Sequence, residues 1–159
     1  MSQTVHFGIV GGYGATGRMV VSELWKSCPG EIRIGGRDLA RGKALAATFD
    51  GRVSAVQLDV LDAPSLDRFC SDCSIIVHCG GPVMRLQDRV AQAARQRRCH
   101  YVDLAGLALV KERLLPHTQE VADLGLSLWF RPGGCLASAN SCPCTLMPVP
   151  GTEWIPSSR

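Results

Sequence analysis

Val5-His6-Phe7-Gly8-Ile9-Val10-Gly11-Gly12-Tyr13-Gly14-Ala15-Thr16-Gly17 decides how this chain folds. A mostly apolar run stops at a glycine cluster, and apolar residues at helical spacing begin directly behind it. Gly12, Gly14 and Gly17 fit G-x-G-x-x-G, while Gly11, Gly14 and Gly17 fit G-x-x-G-x-x-G. In a strand-to-helix turn each glycine answers a different need. One permits the tight turn, one lets a phosphate approach the backbone, and one lets the helix pack closely on the strand. A helix start behind such a loop offers unpaired N–H groups and a partial positive charge to an anion. The stretch reads as a pyrophosphate-binding loop made of Gly11, Gly12, Tyr13, Gly14, Ala15, Thr16 and Gly17, provided that strands and helices alternate through the rest of the chain.

Working outward, they do. Met19, Val20 and Leu24 carry the first helix to about residue 26, before Pro29-Gly30 breaks it. Strands are predicted over 32–34, 53–58, 74–79, 100–104 and from 126 to about 130. Helices are predicted over 39–49, from a start at Asp62-Ala63-Pro64-Ser65 to about 70, over 83–97 as one continuous element, and over 111–124 with an early interruption at Pro116. This alternation predicts an α/β fold, a doubly wound parallel sheet of the Rossmann type, over residues 1–128, with an irregular tail over 129–159.

At 159 residues and 46% hydrophobic, the chain can bury one sizeable core. A net charge of +3 does not call for nucleic acid, and Arg95, Arg97 and Arg98 read as the solvated, dipole-favoured end of a helix. No apolar run is long enough to span a bilayer, and Met1-Ser2-Gln3-Thr4 lacks signal-peptide features, so a soluble cytoplasmic protein is expected. The eight cysteines then read as thiols and not as a disulfide framework. Cys70, Cys73, Cys142 and Cys144 lack the paired spacing of a zinc site, so no metal is expected.

In a doubly wound sheet the cofactor lies along the carboxyl ends of the strands. An acid after the second strand would select NAD. Here Gly36-Arg37-Asp38 places Arg37 to offer a planar cationic fork to a 2′-phosphate, which favours NADP, with NAD as the alternative. The competing role for Arg37 is pairing with Asp38 or a helix end. Asp59 and Val60 close the third strand, as a border for adenine or as local capping chemistry before Asp62. Gly80, Gly81 and Pro82 close the fourth, where a backbone without side chains can run beside a ribose or nicotinamide ring. Asp103 ends the fifth, either facing the cleft or fixing the next turn, and His78 and His100 read as structural. A Ser with Tyr-x-x-x-Lys is missing, which argues against an active short-chain dehydrogenase.

GGYGATGR, GGRDLARGKALA, CGGP before an amphipathic helix, and HYVDLAG resemble, in order and spacing, the N-terminal domain of the saccharopine dehydrogenase-like oxidoreductases. The resemblance runs from residue 5 to about 128. It implies an NAD(P)-binding Rossmann domain in which Gly12, Gly14, Gly17 and Arg37 match the motif positions. Members of the family use the cofactor for hydride transfer to or from imine or amine-linked substrates. Two departures stand out. Leu107 follows HYVDLAG where the family usually has glutamate, and the second domain that supplies substrate contacts and much of the dimer interface is not represented. No catalytic residue is carried over, turnover by this chain alone is not expected, and a homodimer stays open. The alternative is a non-catalytic NADP sensor similar to the NmrA-type regulators, which share G-x-x-G-A-T-G but fit HYVDLAG poorly.

From Trp129 the chain loses periodicity and fills with helix and strand breakers. The family continues at this point with a motif similar to SAGW-x-PG-(I/L)-S-x-LLP. Codons made from the third base of one codon and the first two of the next allow Phe130 through Cys144 to encode Ser-Ala-Gly-Trp-x-Pro-Gly-Ile-Ser-Glu-Leu-Leu-Pro-Val. A frameshift near residues 128–129 is therefore expected, with Cys135, Cys142 and Cys144 as out-of-frame products.

Overall fold

The computed structural model describes residues 5–104 and 108–130. Six strands, β1 (His6–Val10), β2 (Glu31–Gly36), β3 (Val53–Gln57), β4 (Ile75–His78), β5 (His100–Asp103) and β6 (Leu128–Phe130), form one sheet in the order β3-β2-β1-β4-β5-β6. Every neighbouring pair is parallel. The doubly wound parallel sheet read from the sequence is the fold of the protein. Of the irregular tail read over 129–159, Trp129 and Phe130 belong to β6, where sheet pairing with β5 orders them, and the residues from 131 on lie outside the described ones.

Side-chain alternation assigns the two faces. Phe7 and Ile9 of β1 join Ile32 and Ile34 of β2, Val53 and Val77 in one buried cluster, covered by Val21 and Leu24 of α1 (Ala15–Ser27) and Leu45 of α2 (Leu39–Ala46). The opposite face carries Val10, Ile76 and Tyr101 under Leu66 and Phe69 of α3 (Ala63–Ser71). Two short helices lie on that side, α4 (Val83–Leu86) and α5 (Arg89–Gln96), with Val110 and Leu114 of α6 (Ala108–Leu114) completing the layer. A 3-10 turn at Leu115–His117, which contains Pro116, leads to α7 (Thr118–Asp123). Gly8 and Gly35 are small because Phe69 lies on them: a Cβ at either would come within 3.0 Å or 2.7 Å of its ring.

Two helices differ from their prediction. The continuous helix over 83–97 is two helices, because Gln87 turns to φ 50° and ψ −130° and ends α4. Leu86 and Val90 are both buried and four residues apart, so their spacing mimics an unbroken helix. The break is held from outside by Arg113 of α6, whose guanidinium donates to Gln87 Oε1 at 3.1 Å and Asp88 Oδ1 at 2.7 Å. The basic cluster at the end of α5 is also engaged. Arg95 reaches both carboxylate oxygens of Glu120, and Arg97 pairs with Asp67. The helix predicted over 39–49 stops at Ala46, and its last residues form a turn.

Candidate functional site

Strand order reverses direction between β1 and β4, and in an open parallel sheet a ligand crevice forms at that point, beyond the carboxyl ends of the strands. Two loops meet there. The loop after β1 holds Gly11 at φ 75°, a conformation open to glycine, and a Cβ on it would lie 2.7 Å from the Gly80 Cα. The glycine loop and Gly80 thus come together across the crevice through bare backbone. Behind Gly12, a Cβ would press on Ile34 at 2.9 Å. At Gly17 it would lie 2.3 Å from the Gly11 carbonyl oxygen and 2.5 Å from the Gly12 Cα, so Gly17 is the glycine that seats α1 on the loop. Gly14 is different, since a Cβ there would meet only the Gly11 oxygen, at 3.2 Å.

Gly14 is also the N-cap of α1, and no side chain caps that end. The first turn therefore presents its amide hydrogens, including those of Ala15, Thr16 and Gly17, without intrahelical acceptors. With no acidic residue in that turn, nothing there repels an anion. An uncapped, glycine-lined helix start with room beside Gly14 fits a pyrophosphate.

The remaining candidates separate by environment. Arg37 is exposed at the end of β2 and has no ion pair among the described residues, so its pairing with Asp38 is not observed. Asp38 instead caps α2, its Oδ1 accepting the Arg41 amide at 3.0 Å. Asp59 is exposed and its Oδ1 accepts the Leu61 amide at 2.9 Å, a local turn, while Asp62 caps α3 through the Ser65 amide. Val60 is buried in the core beneath that turn. Gly81 and Pro82 are exposed, and a Cβ at Gly81 would meet nothing within 4 Å, so packing alone does not demand glycine there.

A buried polar chain lies just below the crevice, and only Asp103 and His78 of it drew notice in the sequence. The register of β4 and β5 sets His78 opposite Asp103. Tyr101 donates its hydroxyl to Asp103 Oδ2 at 3.1 Å, and its oxygen stands 3.2 Å from His78 Nδ1. Because the phenol proton points at the carboxylate, His78 Nδ1 must carry its own proton and donate. His78 Nε2 is then a bare acceptor, fully buried, with no hydrogen-bond partner among the described residues. Burial holds the imidazole below its ordinary pKa, with the Asp103 charge opposing. Burial, with the Asp103 charge adding to it, pushes the Tyr101 phenol well above its usual range. It also drives the neighbouring Cys79 thiol up to about 12, which makes that thiol a poor nucleophile.

The parallel sheet, the reversal between β1 and β4, and the uncapped glycine loop define a dinucleotide-binding Rossmann protein. Residues 7–126 match the family described as saccharopine dehydrogenase NADP binding domain; the chain belongs to that family, and its cofactor is NADP. It is similar to a probable mitochondrial saccharopine dehydrogenase-like oxidoreductase of Arabidopsis thaliana, with 31% identity over 119 residues, covering 67% of this chain and 26% of that protein. The chain thus spans about a quarter of the length of that relative. Among solved structures, apo saccharopine dehydrogenase (L-Glu forming) of Saccharomyces cerevisiae superposes with a TM-score of 0.65 at 20% identity, over 78% of this chain and 26% of that one. A short-chain dehydrogenase of Streptomyces avermitilis gives a TM-score of 0.64 at 16% identity, over 86% and 68%. Both are likenesses of fold.

Proposed function

We propose that this chain is the cofactor-holding part of a saccharopine dehydrogenase-like oxidoreductase, with NADP lying across the crevice between the β1 and β4 loops. The observation that carries the placement is the uncapped start of α1 at Gly14, faced by the bare backbone of Gly80. In this placement Gly11, Gly12, Tyr13, Gly14, Ala15, Thr16 and Gly17 surround the pyrophosphate, and Arg37 meets the adenosine ribose. Asp59 and Val60 border the adenine, and Gly80, Gly81 and Pro82 run beside the nicotinamide half. Bound NADP supplies the hydride chemistry. The chain's own residues bind and orient the cofactor. Residues 1–128 form the binding domain in this reading, and 129–159 are out-of-frame. The nucleotide sequence across those codons tests that point, since an early stop in the straddling frame rules it out. A homodimer and a cytoplasmic location belong to the same proposal, checked by sedimentation and by imaging of a tagged chain. Among the described residues no helix is long and apolar enough to cross a membrane.

The direct test is fluorescence titration of the full chain with NADPH and NADH. Arg37→Ala should weaken NADPH by about tenfold, the worth of one charge-assisted contact, and leave NADH nearly unchanged. Equal losses for both dinucleotides would remove Arg37 from the 2′-phosphate.

A further inference from the structure

The side chain of Tyr13 has no part in the glycine motif, yet it reaches the end of β2 and is held there. Its hydroxyl accepts the Asp38 amide at 2.9 Å, and its own carbonyl accepts Arg18 Nε at 3.0 Å. The ring rests against Gly36, the last residue of β2. A Cβ at Gly36 would lie 2.4 Å from Tyr13 Cε1 and 2.7 Å from its hydroxyl oxygen. The Arg41 guanidinium stands over the ring, 5.2 Å from its centroid, within cation–π range. Gly42 lies close by, its Cβ position 3.7 Å from the Tyr13 ring.

We propose that Tyr13 sets the preference for NADP over NAD: its ring fills the space an acidic side chain at the end of β2 would need, and it holds Arg41 in place as a second cation for the ribose 2′-phosphate beside Arg37. An acid at the strand end is what recognises the ribose hydroxyl of NAD. At position 36 a side chain meets the far end of the Tyr13 ring, which its hydroxyl's bond to the Asp38 amide holds there, so the ring must move aside before an acid can enter. The carboxylate of Asp38, two residues on, already accepts an amide of its own helix through Oδ1. An acid at the strand end has to displace the ring, and the same ring positions the cation. The inference rests on NADP lying in the β1–β4 crevice as proposed above.

The test is titration of the full chain with NADPH and NADH. Arg41 is exposed and makes no ion pair among the described residues, so Arg41→Gln leaves the fold intact. It should weaken NADPH about tenfold and NADH hardly at all. Tyr13→Leu should lower the NADPH-to-NADH preference by a similar factor. Gly36→Asp should gain no NADH affinity while Tyr13 stands, whereas Gly36→Asp with Tyr13→Gly should gain it. If Arg41→Gln weakens both dinucleotides equally or neither, or if Gly36→Asp alone takes up NADH, the inference fails while the site stands. A parent chain that binds neither dinucleotide overturns both.

Discussion

Replacing Gly17 with alanine should damage packing, and replacing Gly14 should damage binding, although both belong to one motif. At Gly17 the added carbon would sit 2.3 Å from the Gly11 oxygen, 2.5 Å from the Gly12 Cα and 2.7 Å from the Gly12 carbonyl carbon. All three are backbone atoms of the turn, so no side chain can swing away, and α1 must retreat by about 1 Å to restore van der Waals contact. Overpacking of this kind costs roughly 1–3 kcal/mol, and rigid neighbours put it at the upper end. Alanine returns about 0.5–1 kcal/mol through its better helix propensity, which leaves a net loss of about 2 kcal/mol. For a domain of this size that lowers the midpoint of thermal unfolding by roughly 6–8 °C. Gly14 has φ −71° and ψ 173°, which alanine adopts freely, and its nearest obstacle is one oxygen at 3.2 Å. Gly14→Ala should therefore unfold within about 2 °C of the parent while losing NADPH affinity by about tenfold, because the methyl enters the phosphate's path. Circular dichroism melts and NADPH titration of both variants decide the matter. A Gly17→Ala chain with an unchanged midpoint, or a Gly14→Ala chain that loses as much stability, refutes the division of labour.

Three further outcomes follow from the core and the buried polar chain. Phe69 is 1% exposed and lies against the Gly8 and Gly35 positions, so Phe69→Ala should cost about 3–5 kcal/mol and is read by urea unfolding. Asp62→Ala removes the side-chain cap of α3 and should cost about 1 kcal/mol in the same assay, with NADPH binding unchanged. His78 titrates near 6.5 when unfolded and lower when buried, so below 6.5 the unfolded chain binds the extra proton. Its contribution to stability is full above that pH and is lost as pH falls toward the native pKa. His78→Phe should flatten the decline in melting temperature between about pH 7 and about pH 5, and an identical slope in the variant would place the effect elsewhere.

The glycine loop, the strand–helix alternation and the exposed Arg37 were all legible in the sequence. Each is a local signal, because burial on one face or two imposes a period on residues close together in the chain. The loop's two kinds of glycine were not legible. Gly17 and Gly14 look alike in a motif and differ only in what surrounds their missing Cβ. The break at Gln87 was hidden for a similar reason, since Leu86 and Val90 keep helical spacing and the group holding the break, Arg113, comes from another helix. Position 36 reads as one more flexible glycine until the ring of Tyr13 is seen against it. Likewise, His78, Tyr101 and Asp103 become one network only through the pairing of β4 with β5. The sequence by itself determined the class of fold and the kind of ligand, through patterns written within single elements. The tertiary structure decided which glycine packs, which acid is already occupied and which histidine nitrogen is left bare, because those depend on strand register and on contacts between distant elements.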